Sequence, residues 1–421
     1  MHMNKIITAI VFLVVSASAR AQQTTLNDIL NTIQKEHPQL KMYDADIRSM
    51  DEAAKGARSW MPTEFGAGFF MTPYNPKMWK AEKNDMTGMT EPGMGSFMLS
   101  AQQMFPNKKR QDAEAKYMEA MSSVEKERKN VTSNDLMAEA KKNYYEWIVI
   151  EKKLAVIADN EKVLNFMIKN AEIRYRNGID KLSAYYKAKA SLGNLQSMGI
   201  MLQMEVANKR IALNTLMNRS KTDSFSIDTT YVIKDYATVF DTTATSANRS
   251  DIKAIDKSIL LTQLQQDVER GKLKPEFVIK YDHMIAWAQQ PWQFSLMAMA
   301  KIPIGRSTRM NKANIESLKW KSQSLSQQRQ MILNEATGMA YTMSNEINSR
   351  KKQLTLYETN IIPALRNNYK SMQLAYEQNT EELFMLFDAW ETLNMTQVEY
   401  FNQLQQLLLL QVELDRILEA K

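Results

Sequence analysis

Seven methionines fall between positions 71 and 104 of this 421-residue chain: Met71, Met78, Met86, Met89, Met94, Met98 and Met104. A thioether is a soft, neutral donor, and soft donors select Cu(I), and by the same logic Ag(I), over harder ions. Four of the seven (Met78, Met86, Met89 and Met94) sit in a stretch rich in Gly, Pro, Asn and Thr, a composition that builds loops rather than cores. Methionine is also a flexible filler of irregular gaps, and 30 Met in the chain indicate a general bias. Most of the others, such as Met118, Met121 and Met137, recur at helical core spacing. Soft-metal chemistry is therefore assigned to Met78, Met86, Met89, Met94, Met98, Met104, Met297 and Met299 alone, and packing stays open beside it.

No other constellation carries chemistry. The chain has no P-loop, no nucleophile elbow, no HExxH and no cysteine, and His37 and His283 stand isolated. An enzyme is not expected, and no cofactor is; Cu(I) or Ag(I) would be cargo. The net charge of +7 includes Lys5 and Arg20, and the remaining Lys and Arg alternate with Asp and Glu along helical stretches. That is a solvated helix face, not a nucleic-acid surface.

The elements that would hold the methionines come in two copies. Phe97–Pro106 returns as Phe294–Pro303 at an offset of 197, and Tyr175–Leu182 returns as Tyr376–Leu383 at an offset of 201. A repeat of about 200 residues is too long for a solenoid and implies one fold with internal pseudo-symmetry. Each copy is expected to hold a strand pair, Trp60–Thr72 with Phe97–Phe105 and Glu276–Trp287 with Trp292–Ile302. Alternation puts Phe97, Leu99, Ala101, Phe294, Leu296 and Ala298 on one face with Phe277, Ile279, Tyr281 and Ile285; Gln103 and His283 interrupt it. Ser100, Gln102, Lys280, Asp282 and Lys301 occupy the other face, together with Met98, Met104, Met297 and Met299. Strands of about 9–11 residues with this alternation fit a transmembrane β-barrel, and the alternation alone fits a soluble half-buried sheet equally; Trp60, Trp287 and Trp292 at the strand ends favour the barrel.

Asn107 to Asn177 contains neither Gly nor Pro and repeats apolar residues at helical spacing, so one helix on the order of 100 Å is expected, supported by coiled-coil-like packing. Arg306 to Ile362 repeats the theme, with Pro363 allowing a kink. Return helices are expected at Leu182–Asn218 and Leu383–Ala420, and shorter ones ahead of the strands at Thr25–Ser59, broken at His37-Pro38, and Arg249–Lys272. The halves, 22–218 and 248–421, are joined by an irregular connector, 219–247, with a possible short strand at Tyr231–Ile233. Residues 1–21 read as an export signal: Lys5, the apolar run Ile6–Val15, and the cleavage motif Ala19-Arg20-Ala21. Four strands cannot close a barrel, and open edges are not tolerated in lipid, so copies must pool their strands.

This order of elements, stated twice after an export signal, resembles the TolC family of outer-membrane efflux proteins over about Thr24 to Ala420. The resemblance is carried by Pro106 and Pro303 at the strand-to-helix junctions and by the tips, Tyr175-Arg176-Asn177-Gly178-Ile179 and its echo with Asn379 in place of Gly. Asn tolerates the left-handed conformation better than most residues. The resemblance implies a mainly α fold with a transmembrane β-barrel portion: a homotrimer with a 12-stranded barrel in outer-membrane lipid and a helical tunnel across the periplasm. It also implies partners, a periplasmic adaptor and an inner-membrane pump. The implied adaptor-docking residues are Gly178, Ile179, Leu182, Ser183, Asn379 and Leu383; the implied pore constriction is Tyr376, Glu381, Met385 and Asp388. Glu381 stands where the family can have a basic residue, and Met385 where it can have a second carboxylate. The Met-rich loop makes the chain look like the CusC-like, copper- and silver-exporting branch. Two competitors stay open: a duct for drugs or organic solutes on the same fold, and a periplasmic coiled-coil adaptor or scaffold.

Overall fold

The structure, a computed structural model, describes residues 23–179, 181–236 and 246–419. The expected export signal, Asp180 of the first tip, the middle of the connector and Ala420 lie outside the described residues.

Thr25 opens helix α1 (Leu26–Glu36) with a capping box, its side chain accepting from the Asp28 amide while the Asp28 carboxylate accepts from the Thr25 amide. His37 leaves the helical region at ψ 125° because Pro38 follows it, and α2 (Pro38–Lys55) starts on the proline. Strand β1 is Glu64–Phe70, shorter at both ends than the expected Trp60–Thr72. Pro62 has no N–H for a ladder, and Met71 turns left-handed at φ 49°. A two-residue ribbon, β2 (Glu82–Lys83) with β3 (Thr90–Glu91), lies in the loop before β4 (Ser96–Phe105). Helix α3 (Lys108–Arg176) follows as 69 residues without interruption, and α4 (Leu182–Leu216) returns.

The second half runs α5 (Ser250–Gly271), β5 (Glu276–Ala286), β6 (Gln293–Lys301), α6 (Arg309–Leu356), α7 (Ile362–Glu377) and α8 (Leu383–Leu418). Between α6 and α7 the chain makes a π-helical turn, Tyr357–Ile361, immediately ahead of Pro363, which sits in the first turn of α7. The expected strand at Tyr231–Ile233 does not form. The connector is instead held by side chains of α8: the Gln411 amide donates to the Lys234 carbonyl, and the Tyr236 hydroxyl donates to Asp415 at 2.9 Å. The parallel bridge in this region is Thr24 with Ile227.

Two compact units result, each drawing on both halves of the repeat: the described residues within 23–43, 128–252 and 332–419 in one, 44–127 and 253–331 in the other. The first unit is helical. Along α3, Leu136, Ala140, Tyr144, Trp147 and Ile148 pack on α1 and α4, and farther along Ile150, Ile157 and Leu164 recur every seven residues against α4 and α8. Seven-residue spacing keeps one seam of a helix facing its neighbours. Among the described residues no helix is long and apolar enough to cross a membrane.

The second unit holds a four-stranded antiparallel sheet in the order β1-β4-β5-β6, so the two hairpins meet through β4 and β5. Its register fixes two faces. One carries the rows Phe69/Phe97/Ile285, Ala67/Leu99/His283/Phe294, Phe65/Ala101/Tyr281/Leu296 and Phe105/Phe277/Ala300. Its large side chains stand in solvent: Phe65 is 81% exposed and Phe294 70%. The other face carries Gly66/Ser100/Asp282/Ser295 and Glu64/Gln102/Lys280/Met297, with Lys280 3.0 Å from Asp282. Gln103 and His283 are the polar interruptions of the apolar face, as the alternation implies.

Candidate functional site

The two tips are built alike. At the end of α3 the Ile179 amide donates to the Arg174 carbonyl and the Gly178 amide to the Tyr175 carbonyl, both at 2.9 Å, with Gly178 at φ 71°. At the end of α7 the Thr380 amide donates to the Ala375 carbonyl at 2.9 Å and the Asn379 amide to the Tyr376 carbonyl at 3.2 Å, with Asn379 at φ 58°. Both are Schellman caps, and both need a left-handed residue at the same place. Space around Gly178 is open, so glycine is used there for conformation and not for close approach.

Arg174, which sequence reasoning missed, ties the second tip to the first. Its guanidinium lies 4.3 Å from the centroid of the Tyr376 ring and donates to the Asn379 side-chain oxygen at 2.5 Å and to the Tyr376 carbonyl at 3.2 Å. A partner 202 residues away leaves no periodic trace, so no local signal could have found it.

Of the expected docking residues, Leu383 is buried and Gly178, Ile179, Leu182, Ser183 and Asn379 are exposed. Ile179, Ser183 and Leu383 line one cavity of about 290 Å³ between the tips, with Lys181, Glu382 and Phe384. Lys187 stacks its ammonium over Phe384 and Phe387, 4.0 and 4.4 Å from their centroids. The residues assigned to the constriction are not alike in this chain: Tyr376 is 3% exposed beneath Arg174, whereas Glu381, Met385 and Asp388 face solvent.

The methionines divide between the sheet and its loop. The register aligns Met98 with Met284, and Met104 with Val278 and Met299, all on the face that carries Lys280 and Asp282. Met297 follows in the Gln102/Lys280 row. Met284 was not singled out from sequence, because the pairing of β4 with β5 brings it beside Met98. In the loop, the Met94 amide donates to the Met78 carbonyl at 2.8 Å. Met86 is 96% exposed and Met89 72%, at the turn of the β2–β3 ribbon. The loop is shaped by stacked aromatics: Trp79 lies 5.7 Å from Trp287 and 6.3 Å from Phe69. A side chain at Gly95, φ 111°, would come within 2.7 Å of the Trp287 ring.

Ionisable groups in the helical unit are shifted by burial and pairing. Burial pushes the Tyr144 phenol up to about 12, and burial with the Asp415 carboxylate raises Tyr236. Burial would raise Glu413, but hydrogen bonds from Arg416 and Lys142 hold it below the usual carboxylate range.

No protein-family model matches the chain, and no curated protein matches it in sequence. Solved structures do. The outer-membrane channel OprN superposes with a TM-score of 0.75 at 14% identity, covering 94% of this chain and 90% of that one. CusC, described for its folding and transmembrane channel formation, gives 0.75 at 12%, covering 94% and 92%. The outer membrane protein VceC of Vibrio cholerae gives 0.73 at 15%, covering 94% and 96%. The likeness to CusC is no stronger than to the others, so it does not single out a branch. Repeated hairpins, a shared antiparallel sheet and Schellman-capped tips together give this chain the fold of these outer-membrane channels.

Proposed function

We propose that the chain is the outer-membrane exit channel of a tripartite efflux system, a passive duct fed by an inner-membrane pump through a periplasmic adaptor. The observation that carries this reading is the sheet: four antiparallel strands, one continuous apolar face in solvent, and both edge strands, β1 and β6, unpaired among the described residues. An exposed apolar face of this extent marks an interaction surface, and in lipid an unpaired edge must be closed. Three copies related by cyclic symmetry close it with one interface type and give twelve strands, enough for a water-filled lumen lined by the Lys280/Asp282 face. The exposed tip cavity with Ile179, Ser183 and Phe384 is where the adaptor docks. The test is the behaviour of the exported protein. It should require detergent and run as a trimer that dissociates on heating; a detergent-free soluble monomer overturns the channel and favours the adaptor alternative.

Within this reading the cargo is Cu(I) or Ag(I). The supporting observation is chemical: Met98, Met284, Met104, Met297 and Met299 place soft donors on the polar face, and Met86 and Met89 are too exposed to serve as packing. Drug or organic-solute efflux is the competing cargo. A strain lacking the protein should lose copper or silver tolerance and keep drug tolerance, and replacing Met86, Met89 and Met94 by Leu should reproduce that loss. Normal metal tolerance in both strains removes the metal assignment.

A further inference from the structure

The apolar face of the sheet ends at the row Phe105/Phe277/Ala300, and the helices begin at once: α3 starts at Lys108, and α5 ends at Gly271, five residues before β5. A cavity of about 320 Å³ opens between α3 and α5 at this level. Lys109, Lys116 and Lys274 surround it, over a floor of Ala113 and Leu264. Gly271 sets the helix spacing that shapes it, since a Cβ there would sit 2.7 Å from the Arg110 Cα.

Charge in the cavity is unbalanced in one direction. Its two carboxylates are occupied, Asp267 by Arg270 at 2.8 Å and Asp112 by Arg58 at 3.7 Å. The ammonium groups of Lys109, Lys116 and Lys274 have no carboxylate within 4.0 Å among the described residues, and all three are exposed. The side of α3 that Lys109 and Lys116 occupy is also defined. Arg110 bonds Glu276 at 2.6 Å and Glu114 at 2.9 Å, and Glu276 pairs in register with Lys301 on the polar face of the sheet. At about 100° per residue, the Lys109–Ala113–Lys116 stripe is turned more than a right angle away from the Arg110–Glu114 edge. Lys109 and Lys116 are therefore directed away from the polar edge, and Lys274 stands at the border, since it also lines a neighbouring cavity with Arg110, Glu276 and Lys301.

We propose that this cavity binds the phosphate-bearing headgroup of an anionic phospholipid in the membrane leaflet at the helical end of the strands. Unpaired ammonium groups beside a membrane-spanning surface attract anionic headgroups, the apolar floor accepts the glycerol and the start of the acyl chains, and the direction of Lys109 and Lys116 favours lipid over a solute in the lumen. The site goes beyond the channel function but rests on the barrel placement proposed above.

The full-length protein, purified in detergent and incubated with mixed phosphatidylglycerol and phosphatidylcholine micelles, should retain phosphatidylglycerol in native mass spectra. The combined Lys109→Gln, Lys116→Gln and Lys274→Gln variant should lose that preference by roughly tenfold or more, while the corresponding Arg variant keeps it. Ala113→Trp, which fills the floor and leaves every charge in place, should also lose it. Equal retention of both lipids by the wild type, or undiminished phosphatidylglycerol retention in the Gln and Trp variants, overturns the site. Release of the lipid by inorganic phosphate alone does so too, since it indicates a site for free anions. Absence of any detergent-requiring trimer is a different result, which overturns the barrel placement itself.

Discussion

The Arg174 guanidinium covers the Tyr376 ring at 4.3 Å and, from the same position, donates to Asn379 at 2.5 Å. One side chain at the end of the first long helix thus satisfies the cap of the second tip and closes over its buried aromatic. The stacked cation and the hydrogen bond share one rigid planar group, which a lysine cannot reproduce.

Replacing Arg174 by Ala should loosen the second tip without unfolding the helices. A cation–π contact of this kind contributes about 0.5–2 kcal/mol. Amide exchange over residues 376–382 should accelerate several-fold, with Arg174→Lys recovering only part of the protection. Unchanged exchange in the Ala variant would show that the contact is idle.

At Asn379 the backbone, not the side chain alone, sets what is tolerated. Asn379→Gly keeps the left-handed cap and should cost little beyond the Arg174 hydrogen bond. Asn379→Val should lose about 1–2 kcal/mol, because a β-branched side chain is disfavoured in that region and lacks the short polar group that lets Asn adopt it. Limited proteolysis at the tip compares the two directly; equal cutting rates would contradict the cap.

The paired thioethers can be read by their own chemistry. Met98→Leu with Met284→Leu conserves volume and should cost less than about 1.5 kcal/mol, leaving the yield of folded protein intact. In the wild type, Ag(I) should slow peroxide oxidation of Met98 and Met284, because coordination commits one sulfur lone pair to the metal and makes the other a poorer nucleophile. Oxidation of both at the same rate with and without Ag(I) would leave them as packing residues.

Acid should weaken the α3–α8 junction. Glu413 is held below its ordinary 4.5 by Arg416 and Lys142, against burial. A carboxylate depressed in the folded state contributes stability above its unfolded value and loses it as pH falls through the folded one. Thermal stability should therefore decline below about pH 4.5, and Glu413→Gln should flatten that part of the profile. An identical profile in the variant assigns the acid loss to other carboxylates.

What the sequence made legible follows physical locality. The faces of β4, β5 and β6 are set by a period of two, and the left-handed Asn379 by its place in a repeated turn. The ends of β1 needed Pro62 and Met71 to be weighed against the hydrophobic pattern. The Tyr231–Ile233 segment has strand-forming residues, but no strand pairs with it among the described residues; the residue that follows it, Lys234, is held instead by the side chains of Gln411 and Lys351. Arg174 and Met284 escaped notice for one shared reason. Their partners are brought to them by pairing between the halves, which single-segment patterns do not encode.

The two offsets, 197 at the strands and 201 at the tips, differ by four residues, and these four are the single 3-10 turn Gly305–Thr308 between β6 and α6. Beyond it the two paths to the tips are matched: Lys108 to Arg176 and Arg309 to Glu377 each span 69 residues. The π-helical turn at Tyr357–Ile361 therefore absorbs no surplus length. It interrupts the hydrogen-bond ladder beside Pro363, whereas α3 runs unbroken. Of two paths of equal length, the second alone has a fixed point at which it can bend.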